Sequence, residues 1–154
     1  MKPPFYNLDR SLGYLTVATN RLMSAYFRKR LSDAGLEITA EQWGVLCQLW
    51  NEGGDSQDGL AARLCLEKSS LSRVLDTMER KGLVRRERDP LDARKKILLP
   101  TPASETLKAP CKKVADAVMC EILKDCDPEE LEACLKVLGQ VQQTIKELSA
   151  DDSS

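Results

Sequence analysis

The chain has 154 residues, 31% of them charged and 5% aromatic, and it contains no histidine. That length supports one domain with a sizeable core and excludes two ordinary ones. The formal net charge of −1 would argue against a polyanionic partner, but the charge is unevenly spread. Between Arg63 and Lys96 stand eleven Lys/Arg against six Asp/Glu, a balance of +5; the rest of the chain carries −6. A basic patch on an acidic body suits a protein that meets a polyanion with one face, although a solvated charged face would read the same way.

The Met1 end lacks a long apolar run, and no stretch is apolar enough to span a bilayer, which predicts a cytoplasmic protein without a signal peptide. Met1-Lys2-Pro3-Pro4 is an arm that cannot begin a helix. From about Leu8 to Leu31, the residues Leu8, Leu12, Leu15, Leu22 and Tyr26 recur at helical spacing, and Val17, Ala18, Ala25 and Phe27 widen their face. Gly35 ends that helix. Thr39-Ala40-Glu41-Gln42 reads as a capping box that opens a second helix through Trp43, Leu46 and Trp50, broken by Asn51-Glu52-Gly53-Gly54-Asp55.

Ser56 caps a short helix with Leu60, Ala61 and Leu64 on its apolar face. Leu66-Glu67-Lys68 connect it to another helix whose stripe is Leu71, Val74, Leu75 and Met78. The opposite face of that helix carries Ser69, Ser72, Arg73, Asp76 and Arg80, with Ser70 and Thr77 beside it, and Gly82 is its stop. Two short helices so joined make a helix-turn-helix, whose second helix can enter a DNA major groove. Residues 83–88 and 94–99 then predict two strands around the turn-rich tip Asp89-Pro90-Leu91-Asp92-Ala93. After Pro100-Thr101-Pro102, a long helix runs to about Cys126 along Leu107, Cys111, Val114, Val118 and Ile122, with Pro110 expected to kink it or delay its start. Asp127 and Pro128 begin a last helix that reaches Leu148. Residues 150–154 are expected to be disordered.

The helix pair, the Gly82-Leu83-Val84 that ends it and the wing motif Asp92-Ala93-Arg94-Lys95-Lys96 together resemble the MarR family of regulators, over residues 39–101. The resemblance implies a mainly α fold: a winged helix-turn-helix lobe at about 39–101 with a small β-hairpin wing, and long dimerisation helices at about 8–34 and 103–148. It implies a transcriptional regulator, chiefly a repressor, that binds a pseudo-palindromic operator of double-stranded DNA as a homodimer. The broad first stripe and the continuous last one fit such a dimer, against a monomer that folds these helices on itself.

On this reading Ser69, Ser70, Ser72, Arg73 and Thr77 meet bases and phosphates, Gln57 and Lys68 contact phosphates near helix starts, and Arg88 and Arg94 serve the wing. Arg94 enters a minor groove, oriented by Asp92. The plainer alternatives are a surface salt bridge of Arg73 with Asp76 and a solvated charge at Arg94. The resemblance also implies a small aromatic or anionic effector between the dimer helices and the DNA-binding lobe. Tyr14, Arg21, Tyr26 and Trp43 are the amphipathic residues nearest that place in sequence order. One departure from the family is the double proline of Pro100-Thr101-Pro102, which bears on how the wing couples to the dimer helices.

Catalysis is not expected. There is no histidine base, no G-x-S-x-G and no phosphate-cradling glycine loop. Of six cysteines, Cys47, Cys111, Cys126 and Cys134 fall on apolar stripes and read as small core residues. Cys65, where the family usually has Gly, and Cys120, off the main stripe, are the candidates for thiol sensing. No C-x-x-C pair occurs, and neither a metal nor a cofactor is expected. Two other functional classes stay open: a winged-helix module that binds protein, and a thiol-based redox sensor.

Overall fold

The computed structural model describes residues 5–151; the expected arm at 1–4 and the last three positions lie outside them. The chain divides into two compact units, with the boundary after Val118. In the first, a single 3-10 turn at Leu8–Arg10 precedes α1 (Leu12–Asp33), α2 (Ala40–Glu52), β1 (Asp55–Ser56), α3 (Gln57–Leu64), α4 (Lys68–Arg80), β2 (Val84–Arg88) and β3 (Lys96–Pro100). α5 (Pro102–Ile122) crosses the boundary, and α6 (Pro128–Asp151) occupies the second unit.

Local chemistry sets most of these ends. Gln42 N–H donates to Thr39 Oγ1 at 3.1 Å and Thr39 N–H donates to Gln42 Oε1 at 3.2 Å, the reciprocal capping box expected for α2. Ser56 Oγ accepts from Gly59 N–H at 3.0 Å and caps α3. Asp127 Oδ1 accepts from the N–H groups of Glu129 and Glu130 and caps α6. At the far end of α4, Gly82 takes φ 71°, and Leu83 N–H reaches back to Met78 O at 2.9 Å, closing orphan carbonyls as a left-handed residue does.

Other ends depart from the sequence expectation. The first helix does not start at Leu8. The chain makes one tight turn there and restarts at Leu12, because Ser11 Oγ accepts from Tyr14 N–H and supplies a better cap. Lys68 is the first residue of α4, not part of the connection. The wing's return strand begins at Lys96, since Asp92 O accepts from Lys95 N–H at 2.9 Å and keeps Arg94 and Lys95 in the turn. Pro110 does not delay α5, which starts at Pro102 and runs through it. Ala150 and Asp151 are helical, where disorder was expected.

The double proline is punctuation. The three strands pair antiparallel in the order β1–β3–β2, with Val84 opposite Pro100 and Arg88 opposite Lys96. β1 covers only Ile97 and Leu98 of the central strand. At Pro100, β3 is therefore an edge on one side, where a missing N–H is tolerated. Pro102 then sits at the first position of α5, where its N–H would be unpaired in any case.

Leu31, Leu46, Leu49, Leu60, Leu71, Leu75, Met78 and Leu98 are fully buried, so the core lies among the end of α1, α2, α3, α4 and β3. Burying one such leucine contributes about 1.5–3 kcal/mol. The outer helices behave differently. α1 buries only Phe27 and Leu31, leaving Leu12, Leu15 and Leu22 exposed. In the second unit α6 buries no residue, and Leu135, Ile145 and Leu148 are all more than half exposed. Cys126 and Cys134, read from the sequence as core residues, are exposed as well: Cys126 falls in the bend between α5 and α6, and Cys134 lies on a helix that buries no residue.

Candidate nucleic-acid interface and effector cavity

The turn between α3 and α4 hinges on Cys65, the one non-glycine with positive φ (51°) among the described residues. Cys65 N–H reaches Ala62 O, and Leu66 N–H reaches Ala61 O at 3.0 Å. The turn is thus a left-handed cap built on a residue with a Cβ, where glycine is the usual solution. It delivers α4 with Leu71, Leu75 and Met78 inward and Ser69, Ser70 and Arg73 exposed. Glu67 makes no side-chain cap, so the first N–H groups of α4 are left for an outside acceptor.

Arg73 forms no ion pair among the described residues, because its expected competitor is engaged elsewhere. Asp76 accepts from Arg86 Nη2 at 2.9 Å, and Glu79 accepts from Arg86 Nη1. Thr77 is turned onto its own helix: its hydroxyl donates to Arg73 O at 3.1 Å and accepts from Arg80 Nη2 at 3.2 Å. Ser72 and Gln57 are half-buried. Lys68 pairs with Asp58 at 3.0 Å, both largely exposed, an interaction of about 0–1 kcal/mol that an incoming phosphate can replace. Cys120 is exposed on α5.

The wing is knit by its aspartates. Asp89 Oδ1 accepts from Leu91 N–H at 2.8 Å, and Asp92 Oδ1 accepts from Arg94 N–H at 3.1 Å. The same Asp92 oxygen lies 3.5 Å from Arg94 Nε, while the Arg94 side chain is 95% exposed. Asp92 thereby holds the base of Arg94 and leaves its guanidinium outward. Arg88 ends β2 opposite Lys96, and both are exposed. The wing's root is fixed to the helix pair by Arg86 and closed by Thr101, whose hydroxyl donates to Gly82 O at 2.5 Å.

A cavity of about 640 Å³ opens between α1, the start of α2 and the end of α3. α1 presents Asn20, Arg21, Ser24 and Arg28 to it; Glu41 and Gly44 of α2 and Leu64 and Leu66 flank the other side. Of the four residues suggested for an effector, Arg21 alone lines this cavity. Tyr14 is exposed outside it. Tyr26 OH accepts from Arg30 at 3.2 Å. Trp43 packs edge-on between Phe27 at 5.9 Å and Trp50 at 6.0 Å. Arg28 was missed, although the polar run Asn20, Arg21, Ser24, Arg28 already marks one face of a 3.6-period helix. Burial, with Cys111 nearby, pushes the Cys47 thiol up to about 11, and burial raises Cys111 also.

Residues 38–96, which run from the start of α2 into the wing, match the family described as MarR family. That segment resembles the MarR family. The chain's fold recurs along nearly its whole length. A MarR-family transcriptional regulator from Silicibacter pomeroyi superposes with TM-score 0.72 at 26% identity, over 90% of this chain and 92% of that one. BpsR of Bordetella bronchiseptica, whose DNA binding is regulated by 6-hydroxynicotinic acid, gives TM-score 0.79 at 22% identity, over 90% and 97%. The repressor CouR of Rhodococcus jostii, bound to a 23-mer DNA duplex, gives 0.76 at 24% identity, over 92% and 99%. The Silicibacter pomeroyi protein is a transcriptional regulator and CouR is a transcriptional repressor. Among the described residues no helix is long and apolar enough to cross a membrane, and no cluster of side chains could hold a metal ion.

Proposed function

We infer that the protein is a homodimeric transcriptional repressor of the cytoplasm that reads a pseudo-palindromic operator and is released by a small-molecule effector. The observation that carries this reading is a pair of outward cations on one lobe: Arg73 on α4 without an ion pair, and Arg94 at the wing tip steadied by Asp92. An unpaired Arg over the exposed serines of a reading helix suits guanine, and a lone Arg on a hairpin suits a narrow minor groove. Ser69, Ser70, Gln57, Lys68 and Arg88 supply positioning contacts; Ser72 and Thr77, half-buried or self-bonded, have smaller parts. CouR, bound to duplex, supports the same use of the fold. The exposed leucines of α1 and of α6 support a second copy as their cover, since stripes of that length are costly in water. The α1–α2–α3 cavity, with Arg21 in it, is the effector site on this reading, which the regulation of BpsR by 6-hydroxynicotinic acid supports.

The test begins with selection of bound fragments from the source genome, followed by salt titration of Arg73→Ala and Arg94→Ala on operator and random duplex. Arg73→Ala should weaken operator binding by about 1–3 kcal/mol and relax preference at one base pair per half-site. Arg94→Ala should weaken many sequences and reduce the salt slope by about one unit per contact. If both variants bind like the parent, this face is not the DNA interface, and the protein-binding module takes precedence.

A further inference from the structure

The cavity is lined by two cations that no ion pair neutralises among the described residues. Arg21 and Arg28 both line it, and neither forms an ion pair among the described residues. They stand seven residues apart on one face of α1, which separates their backbone origins by about 10 Å along the axis. Between them on α1 stand the small residues Ser24 and Ala25, and Leu64 and Leu66 supply apolar surface to the same cavity. Glu41 is the single acid on the rim.

That layout selects a ligand shape. A guanidinium presents a planar fork that matches one carboxylate, and it sheds water more readily than an ammonium. A compact anion would satisfy one Arg and leave the other against an apolar body. A phosphate dianion would place two charges on one fork and none on the second. From this geometry we propose that the cavity takes an elongated organic diacid, with one carboxylate on Arg21, one on Arg28, and an apolar middle on Leu64 and Leu66. Glu41 adds one negative charge to the lining, which weakens the hold on any anion and makes two matched cations the stronger requirement. The inference rests on the reading of this cavity as the effector site and adds the ligand class. It also gives the ligand a handle on the helix pair, because Leu64 and Leu66 flank the Cys65 hinge that aims α4.

The test uses the full chain without DNA. Calorimetric titration with a biphenyl dicarboxylate should show binding, and the matching biphenyl monocarboxylate should bind about tenfold more weakly, the loss expected for one charge-assisted contact. Arg21→Gln and Arg28→Gln should each cost the diacid about tenfold. The monoacid should be sensitive to only one of them. Arg28→Lys, which keeps the charge but loses the fork, should recover part of the loss, and Glu41→Gln should strengthen diacid binding severalfold. The melting temperature of each variant should stay at the parent value, since neither Arg has an ion pair to lose among the described residues. Equal affinity for mono- and diacid, no binding of the diacid, or insensitivity to either Arg overturns the proposal. Duplex binding is measured separately: intact DNA binding with no diacid binding removes this inference alone, whereas diacid binding without any duplex binding removes the regulator reading and leaves the ligand site.

Discussion

Gly59→Ala sets two effects against each other, and the structure decides between them. Gly59 is in the first turn of α3, where exchanging glycine for alanine gains up to about 1 kcal/mol of helix propensity. Here the added Cβ would press on Asp55 Oδ1, at 2.9 Å from Asp55 Cγ and 3.0 Å from Ser56 Oγ. None of these atoms can move freely. Asp55 Oδ1 accepts from Ser56 N–H at 2.8 Å, its other oxygen lies 3.2 Å from Arg63 Nε, and Ser56 Oγ is the cap of α3. Displacing the carboxylate sacrifices a charge-assisted bond of about 1.5–3 kcal/mol and disturbs a cap of about 1 kcal/mol. The net expectation is a loss of about 1–3 kcal/mol, measured by urea unfolding at fixed protein concentration so that any dimer linkage is held constant. In an Asp55→Ala background, with the obstructing carboxylate gone, the same change should be neutral or stabilising, giving a coupling energy of comparable size. If Gly59→Ala stabilises the parent, the Asp55 clamp is looser than its distances state and the reasoning fails.

Cys65→Gly should raise stability by about 0.5–1 kcal/mol in the same assay, since relief of a left-handed Cβ outweighs the extra freedom of glycine in the unfolded chain; Cys65→Val should lower it by more. Cys47 makes stability pH-dependent on the alkaline side. Its thiol ionises near 9.0 when unfolded and at about 11 when folded, so its contribution is complete below pH 9 and is lost as pH rises through 11. Cys47→Ala should flatten unfolding free energy across that window, and an unchanged slope would contradict the assignment.

The parts of the fold readable in the sequence are those decided within a few residues. Thr39 and Gln42, Ser56, Asp127 and Gly82 each announce a helix end because cap and partner are three or four positions apart. The two-residue β1 was invisible, since Asp55 and Ser56 become a strand only by meeting Leu98 and Ile97 some forty residues on. Arg86 looked like one more basic residue of the wing, and only the tertiary structure makes it the partner of Asp76 and Glu79. The cavity followed the same rule. Arg21 could be named from its place in the chain, but Arg28 joined it only once α2 and the end of α3 had closed the opposite wall. Periodicity carried Cys126 past the real end of α5 at Ile122, and it placed Cys134 on the stripe of α6 without saying whether that stripe is covered.

Arg86 has a mechanical consequence. With one guanidinium bound to two acids a turn apart on α4, and Thr101 closing the hairpin at Gly82, the base of the wing cannot swing without α4. The lever is therefore rigid at its fulcrum and free only at its tip. If Arg73 and Arg94 read the two grooves as proposed, a rotation of α4 set off at the Cys65 hinge would carry both through the same arc, so both would leave register together. Release from an operator would then be abrupt with respect to helix angle, and cutting the Arg86 coupling should turn that switch into a gradual dial.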